Sequence, residues 1–134
     1  MRYFQNVNSF YAIFSKYMES LFMTLKDYHH GVSFLEWKDE YKFRNKKALS
    51  SFKKEHLDDV NFWKFTQYYF FKQWNDLSVY ANSKGIKIIG DMPIYTALDS
   101  SDVWSNPNLF QLGSDLKPKL VAGCPADDFA PLGQ

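Results

Sequence analysis

The sequence predicts an α/β chain: helical through its first 84 residues, then one buried strand, then a loop-rich end. Three observations carry this reading. All five prolines (Pro93, Pro107, Pro118, Pro125, Pro131) and five of the six glycines lie from Gly85 onward, so only Gly31 punctuates the preceding stretch. A long run without breakers favours helix, and a run dense in them favours loops. Apolar residues before Gly85 recur at helical spacing, whereas Ile86-Lys87-Ile88-Ile89 directly after it is a short β-branched run. Such a run behind a helix-ending glycine reads as a parallel strand buried on both faces.

The first helix is expected from Ser9, a plausible N-cap, to Tyr28. Phe10, Ile13, Phe14, Tyr17, Leu21, Leu25 and Tyr28 are separated by steps of one, three or four and form one face. His29-His30-Gly31 then reads as its stop, with imidazoles near the negative end of the helix dipole. Metal binding by this histidine pair is disfavoured, because adjacent residues diverge on a helix and no further ligands are suitably spaced.

A second helix is expected over Ser33 to Leu57, with Trp37, Tyr41, Ala48, Leu49 and Phe52 as its weaker apolar face. Lys38, Lys42 and Lys46 fall four apart beside Lys47, Lys53 and Lys54. Glu36, Asp39, Glu40 and Glu55 interleave with them, so a solvated face is favoured over an RNA site. The third helix is expected to start at Asp58 or Asp59 as N-cap. It runs through Phe62, Phe65, Tyr69, Trp74, Leu77 and Ala81 and stops at Gly85. Being aromatic nearly all round, it is expected to be buried on more than one side. The strand is placed at Lys87 to Gly90, and Pro93 ends it, since proline cannot extend a central strand.

Composition narrows the function classes. Apolar residues make up 46% and charged residues 23%, with a formal net charge of +1. Such balance supplies no electrostatic footprint for nucleic acid or for an anionic membrane. No stretch approaches the ~18 uninterrupted apolar residues of a membrane span. The start Met1-Arg2-Tyr3-Phe4-Gln5-Asn6 lacks a signal-peptide run, and the single Cys124 fits a reducing compartment, so a cytoplasmic protein is the expectation. Aromatic residues stand out at 19%. They read either as core packing or as rings that stack on sugar faces.

Chemistry in parallel α/β folds collects where strands end. Asp91 occupies that position, beside Gly90 and ahead of Pro93. On position alone, a carboxylate that caps the next turn and one that meets a ligand stand level. In Asp99-Ser100-Ser101-Asp102-Val103-Trp104-Ser105-Asn106-Pro107, helix capping by Asp99 or Ser100 is favoured over ligand binding. The last twelve residues read as a structured loop with paired Asp127 and Asp128 and an exposed Phe129. Cys124 has no nearby base and is expected to be inert. Phosphate loops, zinc spacings and Ser/His/Asp signatures are absent from the sequence, so no metal and no cofactor are expected.

Gly85-Ile86-Lys87-Ile88-Ile89-Gly90-Asp91-Met92-Pro93-Ile94-Tyr95, then Asp99-Ser100-Ser101-Asp102-Val103-Trp104, then Val121-Ala122-Gly123-Cys124-Pro125 with Gly133-Gln134, closely resemble amylomaltases, the 4-α-glucanotransferase family of the α-amylase group. The blocks occur in family order and at family-like spacing. Tyr11-Ala12-Ile13-Phe14, the Trp37 region and the Phe65 to Tyr80 helix agree more loosely. The resemblance thus covers essentially the whole chain. It implies part of a (β/α)8 barrel, since 134 residues fall well short of the ~250 of a complete one. Residues 1–84 would be a helical segment and 85–134 a barrel strand with substrate-cleft loops, all within one barrel domain.

The implied reaction cuts an α-1,4-glucan such as maltodextrin and passes the piece to the 4-hydroxyl of glucose or another maltodextrin. It retains configuration through a nucleophile and a separate acid/base. Asp91 matches the family's aspartate at the end of the third barrel strand, a supporting active-site residue. Asp127, Phe129 and Gln134 match a loop folded over the substrate cleft, where a ring stacks on sugar and polar groups bond hydroxyls. Ala126, Asp128 and Ala130 stand where the family usually has proline, tyrosine and serine. The family nucleophile, acid/base and third carboxylate lie on later strands, beyond Gln134. No catalytic residue is therefore expected in this chain, which is expected to be silent alone and is open to a complementary chain. Two rival readings are a non-catalytic glucan-binding module and a helical interaction domain without sugar function.

Overall fold

The computed structural model of the chain describes residues 10–90, 95–121, 123, 125–126, 128 and 131–132, with side chains from residue 18 onward. Helix α1 spans Phe10–Tyr28, as its apolar spacing predicts. Leu21, Phe22 and Leu25 are buried, and so are the small polar Ser20 and Thr24. The Thr24 hydroxyl is satisfied by donating to the Ser20 carbonyl at 2.8 Å. The predicted stop is a double turn in which Gly31 N–H reaches the Lys26 carbonyl at 2.8 Å and His30 N–H reaches that of Asp27 at 3.0 Å. Those two bonds are the Schellman pattern. Its left-handed position, usually glycine, is held by His30 at φ 56°. A side chain there costs about 1 kcal/mol, partly offset by glycine's greater freedom when unfolded. Replacing His30 with glycine is expected to stabilise the chain by about 0.5–1 kcal/mol. In a thermal melt this appears as a rise of a few degrees; an unchanged or lower Tm would refute it.

The second expected helix is instead three pieces. Ser33 caps a 3₁₀ turn, Phe34–Glu36, and Trp37 then runs extended at ψ 161°. Helix α2 is only Asp39–Lys42, helix α3 is Lys46–Glu55, and Arg44 between them sits at φ 57°. The cause of the second break is local. The Asn45 side chain accepts from Lys47 N at 3.0 Å and Ala48 N at 3.2 Å, starting a new helix where the expectation continued an old one.

Helix α4 spans Leu57–Ser83. Its N-cap position is His56, which makes no side-chain cap bond. Asp58 and Asp59 lie in the first turn, where they face the positive end of the dipole, rather than at the cap as expected. Gly85, at φ 76°, stops the helix as predicted. Ile86 N–H reaches the Ala81 carbonyl and Gly85 N–H that of Asn82, each at 3.0 Å.

The core gathers Leu21, Phe22 and Leu25 with Phe34, Trp37, Phe52, Val60, Val103, Trp104 and Leu116. At its centre Phe22 lies 5.3 Å from Trp37 and 5.7 Å from Trp104, and the two indoles are 5.9 Å apart. Tilted and edge-on rings at such spacing attract beyond the area they bury. Trp104 comes from helix α5, Ser101–Ser105, capped by the Ser100 hydroxyl, which accepts from Val103 N at 3.3 Å. A tight turn at Gly113 to Leu116, closed by a bridge between Leu112 and Pro118, tucks Leu116 against this core.

Two further expectations fail. The strand at Lys87 to Gly90 has no ladder: among the described residues the β pairing is the single Leu112–Pro118 bridge. A parallel strand exists only through neighbours on its edges, and no other described segment pairs with this one. Ile89 is accordingly 94% exposed. Helix α4 is likewise not covered on several sides, since only Val60 is buried, while Phe62, Phe65, Tyr69 and Tyr80 are each at least 43% exposed. These four rings fall at helical spacing opposite Val60 and make one apolar stripe. The folded chain is expected to light up a hydrophobic dye or to self-associate. Phe65→Ser with Tyr69→Ser should reduce either signal without loss of helix content. A dye-silent, monodisperse monomer would count against this.

Candidate functional site

Asp91, Asp127, Phe129 and Gln134, the four residues expected to meet substrate, lie outside the described residues, as does Cys124. Asp128, beside two of them, is described and exposed. What the structure does describe is the frame behind residues 95–110, and polar side chains set that frame.

Asp99 is the first of these. The expectation that Asp99 or Ser100 caps a helix divides between two helical turns: Ser100 caps α5, while Asp99 reaches a turn 65 residues away in sequence. Its Oδ1 accepts from Phe34 N at 3.1 Å, at the start of the 3₁₀ turn. Its Oδ2 pairs with Lys26 Nζ, and that ammonium also donates to the Val32 carbonyl at 3.1 Å. One carboxylate thus joins the last turn of α1, the 3₁₀ turn and the segment that leads into α5. Partial burial makes such a charge-assisted link stronger than an open surface pair.

Arg44 is the second. Its Nη1 donates to the Trp104 carbonyl at 2.7 Å, and the Trp104 indole N–H donates back to the Tyr41 carbonyl at 3.0 Å. Burial pulls the guanidinium below its ordinary pKa, but arginine keeps its charge in proteins. The two bonds dock α5 onto the end of α2. Neither Lys26 nor Arg44 carried a sequence signal, because both pairings join residues more than 55 positions apart.

His29 is the third. Its ring stacks on Trp37 at 5.3 Å and 14°, with Tyr28 and Tyr41 edge-on at 5.1 and 5.7 Å. Its Nε2 is buried without a hydrogen-bond partner. Burial, then Lys38, then His30 lower its pKa from the usual 6.5. Stacking on an indole favours an imidazolium by about 0.5–2 kcal/mol. Leaving its buried Nε2 donor unpaired opposes the charged form by about 1–3 kcal/mol, in the same direction as the burial that lowers the pKa.

A groove of about 300 Å³ runs between α1 and α4, lined by Glu19, Met23, Trp63, Thr66, Gln67, Phe70 and Phe71. The indole N–H of Trp63 is held by Asp27 Oδ2 at 2.9 Å. Among the described residues no group of three His, Cys, Asp or Glu side chains is placed to hold a metal ion. Nor is any described helix long and apolar enough to cross a membrane.

Comparison with known proteins gives this frame a context. Residues 6–134 match the model of glycoside hydrolase family 77, described as 4-alpha-glucanotransferase. A 4-alpha-glucanotransferase of Clostridium butyricum is 52% identical over 86% of the chain, which covers 24% of that relative. One from Streptococcus pneumoniae serotype 4 is 40% identical over 99% of the chain, covering 26% of that protein. Among solved structures, the amylomaltase from Streptococcus agalactiae in complex with acarbose aligns with a TM-score of 0.84 at 40% identity. The alignment takes in 93% of this chain and 26% of that one. The chain therefore spans about a quarter of the length of the relatives it matches. It belongs to the 4-alpha-glucanotransferase family, glycoside hydrolase family 77.

Proposed function

We propose that this chain is the substrate-positioning quarter of a 4-α-glucanotransferase that moves α-1,4-glucan segments from maltodextrin donors to the 4-hydroxyl of glucose or maltodextrin acceptors. The observation that carries the reading is the family match over residues 6–134. The alignment with an acarbose-bound amylomaltase at 40% identity adds to it. In the proposed assembly, residues 1–84 are the helical part and 85–134 the cleft-loop part of one (β/α)8 barrel. Lys87 to Gly90, unpaired among the described residues, would become a strand there only through neighbouring barrel strands outside this chain. Asp91, Asp127, Phe129 and Gln134 hold the glucan by carboxylate, ring and amide.

Retaining transfer needs a carboxylate that attacks the anomeric carbon as the leaving oxygen is protonated by a second one about 5 Å away. The acceptor 4-hydroxyl then displaces the enzyme carboxylate, giving up its proton to the same acid/base. Neither carboxylate matches a position of this sequence, so the isolated chain is proposed to be silent. A complementary polypeptide carrying the rest of the barrel would supply both. Exposed Phe62, Phe65, Tyr69 and Ile89 favour such a partner, because they are the apolar surface such a barrel would cover. Cytoplasmic residence is proposed with it, as the place of a maltodextrin pool.

The test is maltotriose disproportionation by a hybrid in which this chain replaces the matching quarter of the Clostridium butyricum enzyme. Transfer by the hybrid and none by the chain alone supports the reading. Glucan binding without turnover in either would favour a binding module. Neither binding nor turnover would favour the interaction domain.

A further inference from the structure

We propose that His29 is an acid-sensitive latch: when its ring takes up a proton, the turn ending α1 parts from Trp37 and residues 99–105 lose their seat, while α1 and α4 stay helical. The geometry carries this. A neutral imidazole can leave one nitrogen as an unused acceptor, but an imidazolium presents N–H groups at both. The Nε2 of His29 is buried and faces no acceptor. The ring is walled by Trp37 from one side and by the edges of Tyr28 and Tyr41.

The charges around it give no relief. Lys38, ahead of α2, and the neighbouring His30 act on it, and both are basic. Glu40 and Glu55, the nearby acids of α2 and α3, act on Tyr41. Phe52 and His56 of α3 and the turn before α4 pack on Tyr28. The ring as a whole is half-buried, and the lowered pKa of His29 agrees with the burial of its Nε2 edge.

Trp37 transmits the event. Its ring packs on Phe22, Phe34 and Trp104 at 5.3, 6.3 and 5.9 Å. Its indole N–H donates at 3.3 Å to the Val32 carbonyl, the same oxygen that receives Lys26. Lys26 in turn holds Asp99, and Asp99 holds Phe34 N. Moving Trp37 therefore loosens both the polar and the aromatic attachment of residues 99–105. The sign follows from linkage. A histidine whose pKa is depressed on folding stabilises the closed form fully above its ordinary 6.5, and that contribution is lost as pH falls below it.

The full chain is titrated from pH 7.5 to 5, recording near-ultraviolet dichroism and tryptophan fluorescence against far-ultraviolet ellipticity. The expected result is loss of the tryptophan tertiary signal with helix content retained. His29→Phe keeps the stack, cannot charge, and is expected to abolish the step. His30→Gln and His56→Gln are expected to keep it. A step that survives in His29→Phe, that is absent from the native chain, or that coincides with loss of helix would overturn the proposal. Should His29→Phe fail to fold, the ring protons of His29 in the native chain are followed by NMR through the same range. A tertiary step that does not track that titration would overturn the proposal as well.

Discussion

Trp104→Ala is expected to remove most of the chain's stability. The ring is fully buried between Phe22 and Trp37, so its loss leaves a large hole at the centre of the core. Truncating a buried tryptophan costs about 3–5 kcal/mol, and the lost bond to the Tyr41 carbonyl adds about 1 kcal/mol. Whole domains hold only about 5–15 kcal/mol. In urea, with a slope near 2 kcal/mol per molar, the unfolding midpoint should fall by about 2 M, or the transition should be gone. Trp104→Phe keeps much of the ring and drops only the N–H, so it should cost about half as much. The Arg44 bond goes to the backbone carbonyl and survives both changes. A midpoint that moves by less than about 0.5 M in Trp104→Ala would mean that α5 is not seated in the core as described.

That dependence on one distant tryptophan shows what the sequence could and could not convey. The limits of α1 and the stops at His29-His30-Gly31 and Gly85 were legible, because spacing and left-handed turn positions are local facts. The break at Arg44 was local as well, and Asn45 was its signal, set within a run of charged residues. The core role of Trp104 was not legible, since it rests on bonds to Tyr41 and Arg44 about 60 positions earlier. Asp99 is similar: its residue type suggested a cap, but not that it would cap a turn formed by Phe34. The strand at Lys87 to Gly90 failed for a different reason. A β-branched run declares a preference, but a ladder requires a second segment, which no pattern within the run can supply. The aromatic sides of α4 raise the same point, because all-round apolarity announces a need for cover without naming what covers it.

Asp91→Asn is expected to cut maltotriose disproportionation by the hybrid enzyme about 100-fold, the scale on which one preorganised polar contact in an active site acts. Asparagine matches the aspartate in size and keeps one acceptor oxygen, so the fold should be undisturbed. What is lost is the charge that would hold the donor's hydroxyls as the sugar flattens toward its transition state. Configuration should remain retained in whatever activity survives, because the nucleophile and acid/base are untouched. The isolated chain should transfer nothing, with or without the substitution, for lack of that pair. If purified chain did show slow turnover, Asp91→Asn and Asp127→Asn would separate the causes. Turnover persisting in both variants would indicate a contaminant. Loss in Asp91→Asn alone would promote Asp91 from a supporting residue to one that reacts. An active hybrid indifferent to Asp91→Asn would refute the placement of this carboxylate against substrate. The family assignment would stand even then, since it rests on the match over residues 6–134.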